Sequence, residues 1–93
     1  MTERPDVIER FELRRGTQRE VAGALVGVVG LDAVDGSLRA RLAVGGPAGR
    51  RRAWVDRGDA LVVPGWGTLT LRDVVAAGAG RAVLEFVPAP GRS

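Results

Sequence analysis

Apolar and polar residues trade places every second position over much of this chain, and that period belongs to a strand with one buried face. In residues 37–44, SLRARLAV, the apolar set Leu38, Ala40, Leu42 and Val44 falls on one side, with Arg39 and Arg41 on the other. Residues 68–71, TLTL, put Leu69 and Leu71 on one face, and residues 81–87, RAVLEFV, do the same with Ala82, Leu84 and Phe86. Phe11 and Leu13 alternate with Arg10, Glu12 and Arg14, which favours a strand from residue 7 over the helix that Glu and Arg would also permit. The run 60–63 is short and rich in β-branched residues and reads as a strand, and residues 50–55, opened by three arginines, read as the strand before it.

Residues 20–31, EVAGALVGVVGL, break the alternation by being apolar on both faces. Four valines argue for a strand, and Gly23, Gly27 and Gly30 argue for bulges or a bend. The expectation is one long strand that bends between two sheets or round a barrel corner. A phosphate-cradling loop is the competing idea, but no Lys-Ser/Thr follows the glycines.

Turn chemistry separates these runs. Pro64-Gly65 is the strongest signal and predicts a type II turn, since Pro presets φ and Gly accepts φ > 0 at the next position. Arg15-Gly16-Thr17, Asp35-Gly36, Gly45-Gly46-Pro47-Ala48-Gly49, Arg57-Gly58-Asp59 and residues 76–80 mark the others. About seven short strands at roughly 8–12-residue spacing predict an all-β domain, a small antiparallel sandwich or a partly open barrel. It should occupy residues 7–87, with residues 1–6 and 88–93 as flexible ends, because prolines 88 and 90 cannot continue a ladder.

Composition changes this picture mainly by subtraction. The 93 residues include no Cys, His, Lys or Tyr, and all 14 basic residues are Arg. A Ser-His-Asp or Cys-His arrangement, a Lys Schiff base and the usual zinc and haem sites are therefore excluded. Proton transfer would fall to carboxylates. Asp56 and Asp59 are the nearest pair, but Arg57 and Gly58 between them suit a salt-bridged turn better. Asp32 and Asp35 lack the spacing and terminal Glu of a calcium loop. No cofactor is expected. The longest apolar run is too short to span a bilayer, and the charged start has no leader-like apolar core, so no membrane partner and a cytoplasmic location are expected.

The net charge is +3, and the pI of 11.2 is inflated by the high pKa of Arg. Where the charge gathers matters more. If the Gly-Gly-Pro loop joins two paired strands, Arg39 and Arg41 approach Arg50, Arg51 and Arg52 beside Trp54. Such a patch grips carboxylate or phosphate, or tracks a nucleic-acid backbone with Trp54 as a stacking platform. The net charge and the lack of further aromatics disfavour nucleic acid. A separate expectation is that any interior cavity is lined by Trp54, Trp66, Leu69, Leu71 and Phe86, with Trp66 plugging one end.

The segments FELRRG (11–16), RGDALVVPGWGTLTLRDV (57–74) and AVLEFV (82–87) together resemble a small uncharacterised actinobacterial family, a domain of unknown function. The resemblance spans about residues 11–87 and departs most in the Arg-rich stretch 39–52. It implies a compact β fold and no particular activity. Three functions stay in view. The first is a non-catalytic module that binds another protein or its own copies. The second is a small barrel enzyme of cyclase type, which positions an apolar substrate without a nucleophile. The third is an anion or nucleic-acid binder working through the Arg-rich hairpin.

Overall fold

The computed structural model describes residues 9–46 and 49–90. They form eight strands, β1 (Glu9–Arg14), β2 (Gln18–Val21), β3 (Ala24–Val34), β4 (Ser37–Gly46), β5 (Gly49–Asp56), β6 (Ala60–Val63), β7 (Gly67–Val75) and β8 (Arg81–Pro88), with no helix among them. Two four-stranded antiparallel sheets result, one ordered β1-β8-β7-β6 and the other β2-β3-β4-β5. The all-β expectation holds.

Read round both sheets, the strands follow their order in the sequence. This is the cyclic order of an up-and-down barrel flattened into a sandwich. The chain crosses between sheets twice, after β1 and after β5. At the first crossing Arg15 N–H donates to Gly80 O at 3.1 Å, and Gly16 N–H donates to Val28 O at 2.8 Å. At the second, Arg57 N–H reaches Leu38 O at 2.9 Å and Gly58 N–H reaches Leu71 O at 2.8 Å. Each turn thus bonds to both sheets and holds a seam that the ladders leave open.

The long strand expected over residues 20–31 is corrected to a hairpin. Val21 pairs with Ala24, and the two residues between them, Ala22 at φ 49° and Gly23 at φ 86°, form a two-residue turn of the primed kind. The same geometry recurs at Asp35-Gly36, where the sequence announces it. Alanine announces nothing, because it enters the left-handed region at a cost of roughly 1–2 kcal/mol. The expected glycine bulge does occur, between Val28 and Gly30, and a second lies between Leu71 and Asp73. Each inserts one residue, so that Val28 and Leu31, and Leu71 and Val74, both turn inward despite a three-residue spacing.

The inward set fills the space between the sheets. Val26, Ala40, Leu42, Leu69, Leu71, Ala82 and Leu84 are all 0% exposed, and no polar side chain is buried among the described residues. The Pro64-Gly65 turn forms as expected, with Gly65 at φ 82° and Trp66 N–H bonded to Val63 O at 3.0 Å. It delivers Trp66 to one end of the sandwich. There the ring lies 4.4 Å from Phe86, and its Nε1–H donates to Val21 O at 3.0 Å. One side chain thereby joins the two sheets where no ladder does, a bond worth about 1 kcal/mol.

The flexible tail expected from residue 88 also needs correction. Pro88 ends β8 opposite Gly67, and Ala89 N–H donates to Trp66 O at 3.0 Å. Pro is tolerated there because it needs no ladder donor at a strand terminus. The expectations for residues 1–8, for the loop tip at 47–48 and for residues 91–93 lie outside the described residues.

Candidate functional site

The β4–β5 hairpin is in register as Arg39↔Asp56, Arg41↔Trp54, Ala43↔Arg52 and Gly45↔Arg50. Period 2 therefore places Arg39, Arg41, Arg50, Arg52 and Trp54 together on the outer face of their sheet. Arg51 leaves the strand on the opposite side, opposite Val44 and in line with Ala53 and Val55. Five of the six residues of the expected patch share a surface, and the sixth extends positive charge round the edge.

Within the patch the side chains differ in how far they are committed. Arg39 stacks on Trp54, its guanidinium carbon 4.4 Å from the ring centroid, and its Nη2 donates to Asp32 Oδ2 at 3.2 Å. Ala33 N–H donates to Asp32 Oδ1 at 2.8 Å. That backbone bond, and then the Arg39 bond and charge, hold the Asp32 carboxyl below the usual aspartate range. Ionised Asp32 favours the folded state, and this contribution fades only as pH falls through its lowered pKa. Trp54 rests over Gly30, where an added Cβ would stand 3.5 Å from its Cη2. The ring that the sequence suggested as a stacking platform is thus already occupied by Arg39 and by the sheet beneath it.

Arg41, Arg50, Arg51 and Arg52 have no carboxylate within 4.0 Å among the described residues. The outer face of the other sheet is the contrast. Arg10 and Arg72 both meet Glu85, at 2.9 and 3.8 Å, and Arg81 meets Glu12 at 2.8 Å. On this face three arginines are answered and Arg14 is not, whereas on the β2–β5 face only Arg39 of Arg39, Arg41, Arg50 and Arg52 has a carboxylate within 4.0 Å among the described residues.

Beside the uncancelled arginines runs an open groove of about 540 Å³, lined by Gln18, Leu25, Ala43, Gly45, Arg50 and Arg52. Small residues make its floor. Arg50 lies over Gly45, with its Cγ 3.7 Å from where a Cβ would be, and Gln18 lies over Gly27 in the same way at 3.2 Å. Sequence reasoning found the arginines through their spacing. It missed Gln18 and Leu25, which join the groove only because β2 and β3 form a hairpin.

The residues expected to line a cavity do not form one. Leu69 and Leu71 are 0% exposed, packed in the core with Phe86 at 4%. Trp54 stands on the outside of the opposite sheet, 43% exposed. Trp66 does reach an end of the sandwich, where it borders a small apolar pocket of about 170 Å³ with Ala22, Ala24, Val44 and Val63. Among the described residues no three His, Cys, Asp or Glu side chains gather as a metal site would need. No helix among them is long and apolar enough to cross a membrane. No family model, curated protein or solved structure matches this chain.

Proposed function

We propose that this chain is a non-catalytic binding domain, working in the cytoplasm, whose partner is an acidic protein surface met by the outer face of the β2–β5 sheet. The carrying observation is the asymmetry between the two outer faces. Arg10, Arg72 and Arg81 are answered by Glu85 and Glu12, with Arg14 the exception, whereas Arg41, Arg50 and Arg52, with Arg51 at the edge beside them, have no carboxylate in reach among the described residues and only Arg39 is paired. Unanswered guanidiniums around a groove offer bidentate, charge-assisted bonds to carboxylates and steer an acidic partner toward them. Leu69, Leu71 and Phe86 are packed in the core and Trp54 stands outside, so of the five residues expected to line a substrate cavity only Trp66 borders a pocket, which supports binding over the cyclase reading.

Short poly-Glu peptide is the probe that tests this. Binding should weaken steeply as salt shortens the Debye length from about 10 Å at 0.1 M. Reversing Arg50 and Arg52 to Glu should lower affinity at least tenfold, while reversing Arg10 and Arg72 on the other face should leave it within twofold. Equal losses from both pairs would overturn the assignment to this face. Much tighter binding of single-stranded oligonucleotide than of poly-Glu would favour nucleic acid instead.

Self-association is the second reading, and β6 favours it. This four-residue strand, ALVV, is an edge of its sheet without one charge, and its Val62 is 59% exposed. Uncharged edges invite pairing. Sedimentation should then show a dimer that Val62→Lys converts to monomer; a monomer at all concentrations would end this reading.

A further inference from the structure

The edge of β5 carries more than charge. β5 pairs with β4 alone, and the chain leaves it for the other sheet. Its eight residues exceed the six of β1 and the four each of β2 and β6, so it is the longest edge among the described residues. The direction of its free backbone groups follows from the register. Arg57 N–H donates to Leu38 O at 2.9 Å, one step beyond the pair Arg39↔Asp56. Hydrogen-bonded pairs alternate in an antiparallel ladder, so Val55, Ala53 and Arg51 bond inward to β4. The N–H and C=O groups of Arg50, Arg52 and Trp54 then point away from the sheet, three donors and three acceptors in a row.

We propose that this edge accepts an extended acidic segment of a partner protein as a fifth strand, held by the backbone of Arg50, Arg52 and Trp54 and by the guanidiniums of Arg50, Arg51 and Arg52. The proposal rests on the binding reading above and specifies how that surface is used. Residues two apart on a strand lie about 7 Å from each other, and directly opposed Cβ atoms lie about 5 Å apart. Carboxylates at alternating positions of an added strand therefore meet Arg50 and Arg52 on the outer face, and those of opposite parity meet Arg51.

Charge decides between occupants. A second copy pairing β5 with β5 would set Arg50, Arg51 and Arg52 against the same three residues, and like charges directly opposite are destabilising. A nucleic-acid strand has no amide ladder to match the free groups, and Arg39 already covers Trp54. An acidic strand satisfies both the backbone and the side chains. Arginines on an edge also discourage indiscriminate pairing, and the same charges that repel a copy of this edge select an acidic partner.

Two peptides of identical side-chain sequence separate the parts of the proposal. One alternates Glu with Thr and Val. The other carries an N-methyl group at every residue, which removes the backbone donors of both edges and keeps every charge. Binding to the ¹⁵N-labelled chain is followed by amide exchange and affinity. The unmodified peptide should slow exchange at Arg52 and Trp54, and N-methylation should weaken it at least tenfold. Arg50→Ala with Arg52→Ala should weaken the unmodified peptide by a similar factor. Equal binding of the two peptides, with the Arg variants still impaired, would overturn strand addition and leave the acidic-surface reading standing. Failure of both peptides to bind would overturn the two together.

Discussion

Gly67→Ala should lower the unfolding free energy by about 3 kcal/mol, although it adds a single methyl group. Gly67 opens β7 with φ 157°, between Val63 on β6 and Pro88 on β8. A Cβ built there stands 2.5 Å from Phe86 Cε1, 2.5 Å from Val87 O and 2.9 Å from Phe86 Cζ. The carbonyl belongs to the backbone of the neighbouring strand, so it cannot withdraw without disturbing the β7–β8 ladder. The Phe86 ring is fixed in turn by Trp66 at 4.4 Å, itself tied to Val21 O. Relief of the clash must therefore loosen the closure of that end of the sandwich. A fall in melting temperature of roughly 12–24 °C is the expected readout for a domain of this size. A variant that melts with the parent would show that the strand ends yield easily, contrary to the packing described.

Leu84→Ala should cost a comparable amount, about 3 kcal/mol, for the opposite reason. Leu84 is 0% exposed on β8, an inner strand of its sheet, and is paired with Phe11 on one side and Leu71 on the other. Truncation removes the apolar transfer energy and leaves a void that neighbours on two ladders are poorly placed to fill. Urea unfolding should show a lower midpoint with an unchanged slope, because the area exposed on unfolding hardly changes. Val83, half-buried on the other face of the same strand, is the internal comparison, and its truncation should cost under 1 kcal/mol. Equal losses at the two positions would contradict the assignment of faces. Total stability for such domains is only about 5–15 kcal/mol, so either core variant removes a large share of it.

The strands at residues 37–44, 68–71 and 81–87 were legible because each has one buried face, and burial of one face writes period 2 into the sequence; residues 60–63 were legible from their β-branched side chains. The Pro64-Gly65 turn was legible because few residues can take the backbone angles it needs. The Arg-rich hairpin was legible as well, since a loop between two alternating runs implies their pairing. Residues 20–31 were misread because Ala22 takes a left-handed conformation that alanine rarely adopts, held there by the pairs on either side. Gln18 and Leu25 could not be placed at the groove until that hairpin was known.

By itself, then, the order of residues determined the all-strand class, the inward-facing set, the turn at Pro64-Gly65 and a chemistry without a nucleophile or imidazole. Those follow from local periodicity, from backbone preference and from which side chains exist at all. Only the assembled structure decided that most arginines on one outer face meet carboxylates while most on the other do not, that Trp54 is covered by Arg39, and that β5 ends its sheet. These depend on which strands become neighbours, and neighbours distant in sequence are chosen by the packing of the whole core, with no trace in any single segment.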